Sequence, residues 1–323
     1  MELFETRIDL SQLKTATEKL KEELKKVIVG QEQMVEQFLV AILSDGHVLI
    51  EGVPGIAKTL TAKLIAKTIS TKFSRIQFTP DLMPSDIMGT NVFNISSSKF
   101  EFNKGPIFGN IILIDEINRA PAKTQSALFE VMEERQITID GTTYKMPPPF
   151  IVFATQNPIE HEGTYRLPEA QLDRFLFKIE VGYPTLDEEI EILNKNHESK
   201  GILQTEQISA IFTEEQIFDY QQKVKEILIE EKLRKYIAEI VCKTRTNSSL
   251  HLGASPRASL AIMISSKAFA AINGRDFVTP EDIKEMAYPV LRHRIILTPE
   301  KEMEGATASD IVKSIIESVE VPR

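Results

Sequence analysis

The sequence predicts an α/β fold: a parallel sheet covered on both faces, followed by a second domain made of helices alone. Three observations carry this expectation. Apolar runs of strand length recur at 47–51, 73–78, 110–115, 150–155 and 175–181. Helical patterns or long loops separate them, which is the rhythm of a parallel sheet and its crossovers. After Gly182, Tyr183 and Pro184 the rhythm stops, and only helical periods follow.

The chain opens on Leu10, Leu13, Leu20 and Leu24 spaced among lysines and glutamates, an amphipathic helix over 10–26. A short turn, 27–32, leads to a helix through Met34, Phe38, Leu39 and Ile42. The strand at 47–51 is followed by a glycine-containing loop and by a helical pattern from Leu60 to Ile69. Two segments interrupt the sheet rhythm. Residues 81–109 hold Asn91 to Asn94, a polar turn at 96–99 and Phe100 to Phe102, a hairpin pattern. Residues 135–146 alternate around Asp140-Gly141, a strong hairpin signal. Both are expected to project from the sheet. Beyond residue 184, helices are expected at 186–196, 214–230, 232–246, 256–272, 280–291 and 309–318, with no strand among them. The expected division is 1–184 for the sheet domain and 185–323 for the helical one.

Bulk composition narrows the function. With 42% hydrophobic residues in 323 the chain can fill ordinary cores. No apolar run approaches the length of about eighteen residues that a membrane span needs. The acid-bearing first residues lack the order of a secretion signal, and the single Cys242 cannot form an internal disulfide, so a cytoplasmic location is expected. The formal net charge of −9, from 47 acids and 38 bases, counts against a protein held on nucleic acid through its phosphates. The five histidines and one cysteine show no metal-site spacing.

The chemistry sits at two strand ends. Gly52, Val53, Pro54, Gly55, Ile56, Ala57, Lys58 and Thr59 join the first strand to the helix that continues at Leu60. Strand, glycine loop and Lys-Thr helix start form the layout of a phosphate-binding loop. Successive backbone N–H groups and the positive helix end suit a polyphosphate. Lys58 is expected to neutralise the β- and γ-phosphates, and the Thr59 hydroxyl to hold Mg2+. Ala57 stands where the general pattern has its last glycine; if that slot needs positive φ, alanine costs about 1 kcal/mol. The strand Ile111 to Ile114 ends in Asp115 and Glu116. Two acids at a strand end are costly unless a cation faces them. Asp115 is therefore expected in the metal shell, and Glu116 as the carboxylate that polarises the attacking water. Asn157 follows the next strand at the carboxyl edge, where ligands bind in open α/β sheets, and could orient that water.

Together, Gly52 to Thr59, Ile111 to Glu116 and Asn157 resemble the Walker A, Walker B and sensor 1 motifs of AAA+ ATPases. The stretches 115–128, 154–158, 167–175 and 253–258 are similar to signatures of the MoxR family. The resemblance spans roughly residues 27–290; Arg166 departs from it where proline is expected. It implies a P-loop NTPase core of five parallel strands in the order 5-1-4-3-2, an all-α lid, and a ring, commonly a hexamer, with ATP and Mg2+ at subunit interfaces. The two hairpins would line or face the ring's pore. Arg174 would be the arginine finger that reaches a neighbour's γ-phosphate, and Arg257 the sensor 2 residue, contacting phosphate within its own subunit. Arg119 is a second candidate interface arginine, and Val29 and Gly30 would border the adenine ring. The resemblance also implies remodelling of client proteins with a von Willebrand factor A-domain partner. Two alternatives stand beside it: a DNA-stimulated motor or helicase-like subunit, and a nucleotide-gated scaffold with little turnover.

Overall fold

The computed structural model describes residues 8–322, apart from Pro54, 158–164, Arg166, 200–205 and Gln207. Five strands, β1 (Val48–Gly52), β2 (Phe73–Gln77), β3 (Ile111–Asp115), β4 (Ile151–Gln156) and β5 (Phe177–Val181), form one sheet in the order β5-β1-β4-β3-β2. Every pairing in it is parallel. This is the expected strand order. The central strands β3 and β4 are apolar and buried at nearly every position because both faces are covered, whereas the edge strands β2 and β5 carry Ser74, Arg75, Gln77, Lys178 and Glu180. Val48, Ile50, Ile111, Leu113, Ile151 and Phe153 enter one buried cluster, whereas Leu49, Ile112, Ile114, Val152 and Ala154 enter another. That alternation is the period of two that a pleated strand imposes.

On the first face lie α1 (Ser11–Lys25), α2 (Glu32–Leu43) and α3 (Lys58–Thr68); on the second lies α4 (Ala122–Glu134). The helices that follow the sheet are α5 (Leu186–Glu198), α6 (Glu214–Glu226), α7 (Glu231–Thr246), α8 (Pro256–Ile272), α9 (Pro280–Leu291) and α10 (Ala308–Ser318). Thr185, Thr213, Thr279 and Thr307 each close a capping box with the residue three positions on, so four of these helices begin where an orphan N–H finds a hydroxyl. The helical half is not strand-free. Phe212–Thr213 pairs with Ile69–Ser70, and Leu250–Leu252 pairs with Ile296–Leu297. The helix expected to reach residue 230 ends at Glu226, because Leu228 turns out to exchange backbone hydrogen bonds with Asp276 and Val278.

The two hairpins stand apart from the main sheet. Gly89–Asn94 pairs with Lys99–Lys104, and Gln136–Ile139 pairs with Thr142–Lys145. Asp140 and Gly141 both take positive φ, 48° and 80°, as a two-residue hairpin turn of that type requires. The hairpins touch: Asn91 donates to Asp140, and the Phe102 and Tyr144 rings lie 4.5 Å apart.

The helical half is bonded to the sheet through a buried arginine. Arg294 donates from Nε to the Asp173 carboxylate at 2.7 Å, and its terminal nitrogens donate to the carbonyls of Asp173, Phe175, Leu176 and Val290. The first apolar cluster also runs unbroken from α1 and α2 into α6 to α10.

Candidate active site

At the end of β1 the backbone leaves no room for a side chain: a Cβ at Gly52 would stand 2.6 Å from both Ile56 and the Val181 carbonyl. The loop behind it takes positive φ at Gly55 (86°) and at Ala57 (60°). Ala57 thus occupies the left-handed slot that glycine normally fills. Ile56 is buried and anchors the loop. Gln31 adds a tie, donating to the Ile56 carbonyl at 2.8 Å and accepting from Thr61 at 3.3 Å. Pro54 lies outside the described residues. Lys58 opens α3, and its ammonium donates to the Gly52 carbonyl and, at 3.4 Å, to the Gln156 carbonyl. The charge therefore sits between the carboxyl ends of β1 and β4.

The acids at the end of β3 face the same point. The Thr59 hydroxyl donates to Asp115 at 2.8 Å, and Thr155 reaches the same carboxylate at 3.3 Å. Asp115 is buried, and the cation opposite it is Arg75 from β2, with Nε at 2.7 Å. Glu116 turns into the left-handed region, φ 57°, and its N–H donates to the Thr155 hydroxyl at 3.0 Å. Its carboxylate accepts from Gln77 and pairs with Arg119, each at 3.0 Å. A non-glycine residue in this region costs about 1 kcal/mol and persists where neighbours enforce it. Asn157 follows directly on β4 and is buried. Since β4 lies between β1 and β3, its consecutive residues Thr155 and Gln156 bind Glu116 and Lys58 respectively. Cation, hydroxyl and both carboxylates share one end of the sheet.

Next to the loop opens a cleft of about 1080 Å3 lined by Val29, Gly55 to Ala57, Leu60 and, from the other side, Tyr183, Ile192 and Leu193. Gly30, at φ 66°, lies under α5; a Cβ there would meet the Glu188 carboxylate at 2.1 Å. Apolar walls beside a cationic loop can take a base and its phosphates together. The hard oxygens of Thr59 and Asp115, 2.8 Å apart, fit Mg2+ in ligand type.

Two expected site residues are elsewhere. Arg174 pairs with Glu133 at 2.7 Å, and Arg257 pairs with the other oxygen of Glu133 at 2.6 Å. Both line a hollow with Gly46 and His47, which precede β1, whereas the phosphate loop follows it. Contact between Arg257 and a phosphate in its own subunit is therefore not what the structure places: the length of β1, roughly 15 Å, separates them. His47 itself is neutral. Burial pushes it down to about 3, with Nδ1 accepting from the Val152 N–H and Nε2 facing the Met132 carbonyl.

Sequence reasoning missed Gln31, Arg75, Gln77, Thr155 and Glu133. A signal existed for two of them: Arg75 and Gln77 are two apart on a strand next to the acid-ended one, so they share a face.

Residues 47–177 match the family described as "ATPase family associated with various cellular activities (AAA)", and residues 242–315 match an AAA lid domain. The chain is 46% identical to protein YeaC of Bacillus subtilis, over 93% of each chain. It is 45% identical to the chaperone MoxR1 of Mycobacterium tuberculosis, over 93% of this chain and 81% of that one. The crystal structure of a candidate ATPase from Cytophaga hutchinsonii superposes with a TM-score of 0.89 at 44% identity, over 97% of both chains. The chain belongs to the MoxR family of AAA+ ATPases.

Proposed function

We propose that this ATPase is Mg2+-dependent, works as a ring, and uses hydrolysis to remodel protein partners. The observation that carries the reading is the pair of contacts on β4, which draws Lys58 and Glu116 to one end of the sheet. In this reading the 52–59 loop and Lys58 grip the triphosphate, which competes with the carbonyls now accepting from the ammonium. Thr59 and Asp115 would hold magnesium, which would supply positive charge against the triphosphate. Glu116 accepts the proton of the attacking water, and Asn157 fixes that water's direction. Arg174 lies at the opposite end of the strands from the loop and serves a neighbouring subunit's γ-phosphate, which ties turnover to assembly. Arg257, beside it, works from that same end. Val29 borders the base, and the chain divides near residue 184 into nucleotide-binding core and lid.

The remaining points rest on the family. A hexameric ring, a von Willebrand factor A-domain partner and a cytoplasmic location are carried over from the family resemblance, and the mycobacterial relative's name supports the chaperone role alone. Among the described residues no helix is long and apolar enough to cross a membrane.

The deciding experiment compares the wild type with Glu116→Gln. The variant should retain ATP and lose turnover by a factor on the order of 100 or more, the contribution of a positioned base. Equal phosphate release by the two proteins would remove Glu116 from the mechanism.

A further inference from the structure

Glu133 ends α4 in an unfavourable place. It sits in the last helical turn next to Glu134, with no basic residue in that turn. The partial negative charge of a helix C-terminus repels carboxylates there. What offsets the repulsion comes from outside the helix. Arg174, from the segment before β5, takes one carboxylate oxygen, and Arg257, from the first turn of α8, takes the other. One carboxylate thus serves two guanidinium groups that belong to different halves of the molecule.

The second carboxylate nearby does not complete the balance. Asp173 is bound at 2.7 Å by Arg294 and receives the Ser255 hydroxyl at 3.1 Å, whereas Arg257 stands 3.9 Å from it. Three guanidinium groups thus share two carboxylates, and Glu130 and Glu134 line the hollow beside Arg174. Arg174, Arg257 and Glu133 are all partly exposed, with side-chain accessibilities of 30%, 53% and 35%. The pair is therefore open to an incoming anion, and the exposed carboxylate is the group that such an anion would replace.

We propose that Glu133 is a positioning residue that restrains Arg174 and Arg257 together until the triphosphate of another copy of this chain displaces it. The proposal rests on the reading of Arg174 as the residue that reaches a neighbour. Glu133 then acts as a resident anion: it keeps both arginines paired and aimed outward, at the cost of weaker capture of the incoming phosphate. Exchange of one carboxylate for a triphosphate keeps both guanidinium groups paired and leaves the partly exposed Glu133 to water, so it recaptures them when phosphate departs.

The test is steady-state hydrolysis by the full chain at fixed protein concentration, with KM for ATP and kcat determined separately. Glu133→Gln keeps the volume but removes the charge and leaves one acceptor oxygen for two arginines; KM should fall about fivefold, the worth of a partly exposed charge pair. Glu133→Asp, which keeps the charge, should return KM toward the wild-type value. Glu134→Gln, which removes a neighbouring charge with no arginine on it, should leave KM where it is. A lower kcat for Glu133→Gln with unchanged KM would overturn the proposal, since it would make Glu133 an aid to geometry and not a restraint. An equal KM drop in Glu134→Gln would overturn it too, by reducing the effect to general field strength. Arg174→Ala separates the two levels. Full activity in that variant would remove the reading of Arg174 and the proposal with it; loss of activity there, with an unshifted Glu133→Gln, would remove the proposal alone.

Discussion

Ala57 shows how a single side chain records a backbone demand. Its φ of 60° would suit glycine better, so Ala57→Gly should raise stability by up to about 1 kcal/mol. Ala57→Val should do the reverse, because a β-branched residue resists positive φ; thermal midpoints of the two variants give the comparison. Lys58→Ala should abolish ATP binding in a fluorescent-nucleotide titration, since no other lysine enters the 52–59 loop. A third expectation concerns acid. His47 is held neutral with its pKa near 3, and burial also pushes His293 well below its usual value. Unfolded, both would bind protons near pH 6.5. The unfolded state therefore holds more protons between about pH 6.5 and 3, and stability falls as pH falls through that window. From pH 6 to pH 5 the loss should be roughly 2 kcal/mol, visible as a drop of several degrees in the melting temperature; a flat profile would contradict it. The loop residues were legible because a phosphate cradle is local, its glycines, lysine and threonine adjacent in sequence. Gln31 was not, and for Arg75 and Gln77 only their shared strand face was, because each acts on a partner some 25 to 40 residues away. Nothing in their own neighbourhoods names that partner.

At the scale of elements, the long periodic segments were readable and the short ones were not. All five sheet strands were expected within two residues at either end, the central ones because burial on both faces leaves an apolar run and the edge ones because apolar residues alternate with polar ones. The short helices Pro84–Met88, Glu169–Leu172 and Pro299–Met303 offer a turn or so, too little for a period to register. The two-residue pairings in the helical half are shorter still, and their partners are set by tertiary packing. The first hairpin depends on its root. A Cβ on Gly105 would meet the Ile87 carbonyl at 2.2 Å and the Gly89 N–H at 2.5 Å, both backbone atoms that cannot step aside. Gly105→Ala should therefore loosen residues 89–104 and raise their cleavage in limited proteolysis, with the sheet left intact. At the tip, Phe93, Ile95 and Phe100 remain at least half exposed, with the two rings 5.3 Å apart. Apolar exposure of this kind is a feature of surfaces that take part in association.

Across the whole molecule, the two halves are less separate than the change of texture after Pro184 suggests. Composition shifts there, but burial does not, because α1 and α2 pack against both the sheet and the later helices. Sequence texture reports local periodicity; it is silent on which elements share a core. Arg294 carries much of the join, and Arg294→Ala would leave the Asp173 carboxylate and several carbonyls without their donor. The expected loss is about 3–5 kcal/mol, as for a broken buried ion pair. Arg294→Lys should not restore it, since an ammonium cannot reproduce the planar fork of donors. The difference would be read as thermal midpoints of the three proteins. The shared oily seam between α2, α6 and α8 has one more consequence. Heating should yield a single calorimetric transition, because neither half can melt without wetting the other.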